Sequence, residues 1–228
     1  MKLGILFSGG KDSCYAMFKA SKQHEISCLL SMESMNPESY MFHTPNISMA
    51  ELQANAMAIP FILQRTLGKK ELELKDLKKL LKRAKKEFNI EGIVTGAVAS
   101  VYQASRIQRV CFELNLWCFN PLWQMDQMQL LREIVDNKFE VLIVGVFGYP
   151  LDQTVLGKTI DNEMIKRLAI YNKKYQLNPA GEGGEYETFV LDCPMFKKKI
   201  EIEKTLMQYN GNNDGIFIIE GAKVTERW

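Results

Sequence analysis

Two short stretches of this chain concentrate residue types that do chemistry. Near the amino terminus Ser8–Ser13 reads SGGKDS, and much later Gly181–Thr188 reads GEGGEYET. The first follows an apolar, strand-like run, Lys2–Phe7, and precedes Cys14, Met17 and Phe18 at helical spacing. Strand, tight loop and helix start together make an anion site. The first N–H groups of a helix lack internal partners, and the helix dipole adds partial positive charge there. Gly9 and Gly10 let the backbone come close to a ligand, Lys11 adds a full charge, and Ser8 and Ser13 add hydroxyl donors. The spacing is not that of a Walker A loop, because Lys11 follows a glycine pair and precedes Asp12. It is not the dinucleotide fingerprint either, since the third glycine is missing. The competing reading is a glycine turn beside a solvent-exposed lysine.

The second stretch packs three glutamates and three glycines into eight residues. Like charges at that density repel, so the fold must put a cation among them or leave them in water. Glu182, Glu185 and Glu187 are suited to hold a metal, receive an ammonium group or deprotonate a nucleophile. Tyr186 offers an aromatic face to a quaternary ammonium, and Gly183 and Gly184 suit close approach of backbone to a ligand. A solvated acidic turn ahead of the strand TFVLD is the plain alternative.

The elements that must position these stretches alternate regularly. Strand ISCLLSMES is followed by a loop SYMFHTPN and a helix SMAELQANAMA, with Ser48 as its cap and Glu51 completing a capping box. Strand FILQRTL comes next. A helix then runs over KKELELKDLKKLLKRAKKEF, with Leu74, Leu77, Leu81, Ala84 and Phe88 on one face and lysines on the other. Strand IEGIVTG, helix YQASRIQRVCFELN, strand LWCFNPLW and helix QMQLLREIVDN continue the pattern. Such alternation predicts a Rossmann-like parallel sheet with helices on both faces. Ligands of these sheets sit at carboxyl ends of strands, where SGGKDS and Thr95–Ser100 (TGAVAS) both fall. After about residue 125 the pattern changes. Strand FEVLIVGVF, a helix starting near Asp161 and two strands around the turn NGNND predict a smaller α+β domain. The expected division is therefore 1–125 and 126–228.

Composition bounds the function. With 228 residues, 46% hydrophobic, 25% charged and a net charge of +2, this reads as an ordinary globular protein with no global bias toward nucleic acid. The lysine-rich helix reads as a solvated face, with RNA contact as the minority reading. The five cysteines are scattered without a Cys-x-x-Cys pair, which argues against a disulfide framework or zinc site and suits a reducing cytosol. VLIVGVF is too short to span a bilayer, and no secretory signal precedes the first strand, so a cytoplasmic protein off the membrane is expected. His24 reads as an exposed residue after a helix; His43 has the better claim to a site, and the two form no metal pair.

SGGKDS resembles the pyrophosphatase loop of the N-type ATP pyrophosphatases, which fall in the HUP-type fold group. SGGKDSCYAM, SYMFHTPN, EGIVTGAVASVYQASRIQRVC, LWQMDQMQLLREI, LGKT and GEGGEYETFVLDCPMFKKKI occur in the order seen in diphthine–ammonia ligases, and the resemblance runs from Met1 to about Ile200. Eukaryotic members usually read YQRxR where this chain reads YQASR, so Ala104 replaces an arginine while Arg106 is kept. The resemblance implies an AMP-forming ligase that converts diphthine on translation elongation factor 2 into diphthamide. It would use ATP, Mg²⁺ and ammonium and pass through an acyl-adenylate. It implies a nucleotide site at Ser8, Gly9, Gly10, Lys11, Asp12, Ser13, Met32 and Gly96, with Asp12 holding the metal. Catalysis would fall to Lys11, Asp12, Glu182 and Glu185. Substrate contacts would come from Tyr102, Arg106, Gly183, Gly184, Tyr186 and Glu187. No direct nucleic-acid partner is expected, and a homo-oligomer is compatible. Two other readings stay open: an RNA-modifying relative that adenylates a base, and an ATP-binding sensor without catalysis.

Overall fold

The computed structural model describes residues 1–36, 46–69 and 72–227. The loop SYMFHTPN, with His43, lies outside them apart from Asn46. The amino-terminal part is built from β1 (Lys2–Leu6), α1 (Lys11–Ser21), β2 (Glu25–Ser34), α2 (Ala50–Met57), β3 (Phe61–Thr66), α3 (Leu72–Phe88), β4 (Gly92–Val94), α4 (Val101–Glu113) and β5 (Trp117–Phe119). The remainder comprises α5 (Gln127–Asp136), β6 (Glu140–Phe147), α6 (Asn162–Tyr175), β7 (Tyr186–Asp192), β8 (Lys199–Gly211) and β9 (Asp214–Thr225).

The first five strands form a parallel sheet in the order β3-β2-β1-β4-β5. Strand order reverses between β1 and β4, so the loops leaving those two strands diverge to opposite sides and open a crevice. The other four strands form an antiparallel sheet, β7-β6-β9-β8. The expected fold is thus found: a parallel sheet with helices, plus a smaller antiparallel part. Asp126 and Asp161 cap α5 and α6 by accepting from Gln129 N and Met164 N (both 2.8 Å). The β8–β9 connection is Asn212-Asn213, both at positive φ (51° and 61°), the backbone that a tight two-residue hairpin requires.

Two cores hold the molecule. On one face of the parallel sheet, Leu77, Leu80 and Leu81 of α3 and Val110 and Cys111 of α4 pack on Leu30, Ile62 and Ile93. On the other face, α1 and α2 pack with α5, α6 and the antiparallel sheet in one continuous core that includes Ile5, Met17, Met57, Leu130, Val144, Leu168 and Phe189.

Three local expectations are corrected. Ser48 does not cap α2: the chain enters through a 3₁₀ turn, Ile47–Met49, with no side-chain cap at either start. Asn46 precedes that turn at φ 64° and turns its amide to β9, donating to Phe217 O (2.9 Å) and accepting from Ile219 N (2.8 Å). An entry tied to a strand edge leaves no place for a capping box. The strands read as IEGIVTG and LWCFNPLW shrink to three residues each; β5 is the edge strand and ends before Pro121, and β4, between β1 and β5, is equally short. His24 is half-buried rather than exposed, its ring 5.6 Å from that of Phe119. No helix among the described residues is long and apolar enough to cross a membrane.

Leu77 is fully buried beneath α3, whereas Lys82 on the same helix faces solvent. Leu77→Ala is expected to lower the free energy of unfolding by about 2–5 kcal/mol in urea titration, and Lys82→Ala to change it by less than about 0.5 kcal/mol.

Candidate active site

The loop after β1 is shaped by its glycines and held from outside. Gly9 adopts φ +80°, a conformation costly for any other residue, and a Cβ there would lie 2.2 Å from Gln53 Oε1. Its carbonyl accepts from Val190 N (3.0 Å) on β7 and from Gln53 Nε2 (2.9 Å) on α2. Lys11 N, at the start of α1, donates to the Thr188 hydroxyl (3.1 Å). Ser13 Oγ donates to Gly10 O (3.1 Å) and accepts from Ser8 N (3.3 Å), closing the loop on itself. Asp12 N and Ser13 N precede the first bond of the helix, Cys14 N to Gly10 O (3.2 Å).

Lys11 is not solvent-exposed; only 3% of it is accessible. Its ammonium donates to Asp12 Oδ2 (2.9 Å) and to Ala180 O and lies 5.3 Å from the centre of the Tyr186 ring. Burial works against the charge, but the Asp12 carboxylate and its neighbours outweigh it and hold the pKa above the ordinary lysine value. Asp12 Oδ1 is buried and has no hydrogen-bond partner among the described residues. An acceptor in that state fits a hard cation such as Mg²⁺. Among the described residues no group of three or more His, Cys, Asp or Glu side chains converges to hold a metal. A cation at Asp12 would therefore draw its remaining ligands from phosphate and water, as magnesium commonly does.

The acidic loop has its own scaffold. Glu185 Oε1 accepts from Asn178 N (3.0 Å) and Nδ2 (2.6 Å), and its Oε2 accepts from Gly183 N (2.8 Å). Gln127 reaches from α5 to accept from Ala180 N (2.9 Å). The buried Tyr186 donates its hydroxyl to Pro179 O (2.6 Å). Glu182 crosses to the loop after β4, where it accepts from Ala99 N (3.2 Å). The carboxylate of the half-buried Glu187 has no hydrogen-bond or ion-pair partner among the described residues. Burial, aided by Asp12 and offset in part by Lys11, pushes Glu182 up to about 6. Burial likewise pushes Glu187 up to about 7, against the pull of Lys11 and with the repulsion of Asp12 and Glu182.

A cavity of about 460 Å³ lies between the two loops at the strand-order reversal. Leu6, Leu30 and Met32 form an apolar wall at the ends of β1 and β2. Ser8, Lys11, Asp12 and Ser13 form a second wall, and Gly181–Gly184, Tyr186 and Glu187 a third. Gly96 also lines it; a Cβ there would fall 2.7 Å from Ser13 N, so only glycine lets the β4–α4 loop rest on the start of α1.

Most sequence-derived candidates thus meet in one chamber, but five stand apart from its lining. Gly9 and Gly10 lie behind it, against Gln53 and Thr188. The Glu185 carboxylate is turned into its own loop. From α4 the lining comes from Ser100, Gln103 and Ile107, whereas the Arg106 guanidinium stacks on the Tyr102 ring at 3.6 Å. Tyr186 presents its ring to Lys11, so the face expected for a quaternary ammonium is already covered by a cation. Sequence reasoning missed Gln53, a polar side chain on the stripe Ala50, Ala54, Met57 that buries α2; its signal was polarity at a position of apolar phase.

Fold and site define a Rossmann-like α/β protein with an anion-binding type of glycine loop at the strand-order switch. Two family models match the chain, the diphthamide synthase N-terminal domain over residues 1–117 and the diphthamide synthase C-terminal domain over residues 126–224. A rat (Rattus norvegicus) protein named diphthine–ammonia ligase is 41% identical over 89% of this chain and 83% of its own length. The human (Homo sapiens) protein of that name is 39% identical over 90% and 84%. A solved structure from Methanocaldococcus jannaschii, described as a predicted subunit of a tRNA methyltransferase, aligns over 85% of this chain and 98% of its own, with 18% identity and a TM-score of 0.46. This chain belongs to the diphthamide synthase family, a family of ligases.

A carboxyl whose folded pKa exceeds its unfolded value binds more protons when folded, so ionising it costs stability as pH rises. Glu182 and Glu187 should therefore destabilise the nucleotide-free protein progressively from the ordinary glutamate range up to about 6 and 7. Thermal melts across that range are expected to show a falling midpoint, and Glu187→Gln to remove part of the fall.

Proposed function

We propose that this protein amidates diphthine on translation elongation factor 2, using ATP and ammonium and releasing AMP and pyrophosphate. The observation that carries the reading is one shared cavity whose facing walls come from the SGGKDS loop and the GEGGEYET loop. Chemistry on phosphate and chemistry on an amine or acid then share one chamber. In this reading residues 1–125 serve the nucleotide and 126–228 recognise the protein substrate.

A carboxylate resists ammonia because it is anionic and its oxygen leaves poorly. Attack of that carboxylate on the α-phosphorus forms an acyl-adenylate and breaks the bond to pyrophosphate. Ammonia then forms the C–N bond, AMP leaves with the C–O electron pair, and a proton passes to a base. Negative charge grows on phosphate oxygens in the first step, where preorganised donors have most effect. Asp12 N, Ser13 N, the Ser8 hydroxyl and the Lys11 ammonium supply them. The wall of Leu6, Leu30 and Met32 suits adenine, with Gly96 beside the ribose. Asp12 Oδ1 would hold Mg²⁺, which neutralises phosphate charge when bound. Glu182, tied to Ala99 N, faces the same chamber as the acceptor of an ammonium proton. Glu185, which holds the loop through three donors, supports it from behind.

The deciding experiment incubates the protein with ATP, ammonium and diphthine-bearing elongation factor 2. AMP formed in step with diphthamide is expected. RNA-dependent AMP, or nucleotide binding without turnover, would overturn the reading. Lys11→Ala is expected to lower kcat by about 10²–10³-fold in the same assay.

A further inference from the structure

Gln53 has no place in the chemistry above, yet it is the residue on which the nucleotide loop is hung. It lies on α2, fully buried, and its Nε2 donates to two carbonyls, Gly9 O at 2.9 Å and Val190 O at 2.7 Å. Gly9 belongs to the loop after β1, and Val190 to the antiparallel sheet. Val190 N returns a hydrogen bond to the same Gly9 carbonyl (3.0 Å). One amide group therefore ties together a helix, the left-handed turn of the loop and the strand carrying Glu187 and Thr188.

The other end of this side chain says why it is there. Gln53 Oε1 is buried without a hydrogen-bond partner among the described residues, close enough to the Gly9 backbone that a Cβ on Gly9 would lie 2.2 Å away. An unpaired buried amide oxygen carries a free-energy cost that an apolar side chain of similar volume would avoid. A residue serving packing alone would not be a glutamine, since its neighbours on α2, Ala50, Ala54 and Met57, are apolar and buried. What the amide adds is direction: with its carbonyl held by two donors, the Gly9 peptide cannot rotate.

We propose that Gln53 is a positioning residue for nucleotide phosphates: it holds the Gly9 peptide in its left-handed conformation, so that the loop and the start of α1 stay aimed into the cavity. It touches no reacting atom itself. The inference rests on the proposed nucleotide-dependent activity, and it concerns the phosphate end of that site alone.

The test compares binding of ATP and of adenosine, by calorimetry, to the wild-type protein, Gln53→Met and Gln53→Glu. Methionine keeps the volume and removes both donors. Glutamate keeps the shape, offers at most one proton to the two carbonyls, and serves as the second variant should the first not fold. Loss of the phosphate-aiming contact is expected to weaken ATP about tenfold, the equivalent of roughly 1.4 kcal/mol, while adenosine affinity stays within twofold of wild type. Folded variants that bind ATP as wild type does, or that lose ATP and adenosine affinity equally, would show a residue of packing only and overturn the proposal. A wild-type protein that binds neither ligand would remove the nucleotide reading itself, a result visible before any variant is made.

Discussion

The structure depends on the seating of one glycine loop against one distant strand. A left-handed turn at a strand end leaves peptide groups that no helix or sheet ladder can satisfy, and buried groups of that kind need partners. Here the partners come from β7: Val190 N for Gly9 O, and the Thr188 hydroxyl for Lys11 N, 177 positions away. Ala180 O takes the Lys11 ammonium in the same way. The loop therefore reaches its final shape only when the far end of the chain is in place, and the two sheets are parts of one site.

That arrangement also sets the electrostatics. One buried ammonium faces the carboxylates of Asp12, Glu182 and Glu187, and burial, followed by the surplus of negative charge, raises the pKa of both glutamates. In the proposed reaction such a chamber, with its glutamates ionised, would repel a polyphosphate that arrives alone. It would tolerate one that brings cations with it, and Asp12 Oδ1, without a hydrogen-bond partner among the described residues, would be the seat for one. The same imbalance would favour entry of a small cation. The acidic and glycine loops thus need each other's charges.

Much of this was legible in the sequence, for physical reasons that vary by element. The strand–loop–helix around SGGKDS could be read because apolar periodicity and glycines are local signals, and the amphipathic stripe of α3 emerged for the same reason. The turn at Asn212-Asn213 was legible from its residue types. What could not be read was orientation across the fold. Nothing in GEGGEYET distinguishes Glu185, bound by three donors of its own loop, from Glu187, which has none; that sorting is done by Asn178 and by pairing with β6. Tyr102 and Arg106 sit one helical position out of phase with Gln103 and Ile107, which line the cavity, a difference of angle that the sequence does not display. Ser48 failed as a cap because a tertiary contact from Asn46 outcompeted a local rule.

The continuous core on the α1–α2 side of the parallel sheet has a consequence for the polypeptide as an object. Severed near residue 125, the first fragment would keep the packing of α3 and α4 but bare the apolar flank of α1 and α2. The second fragment would lose the surface against which Leu130, Val144 and Phe189 are packed. Neither piece could be borrowed as a free-standing module, so shuffling the two halves between relatives would demand that both sides of this seam change together.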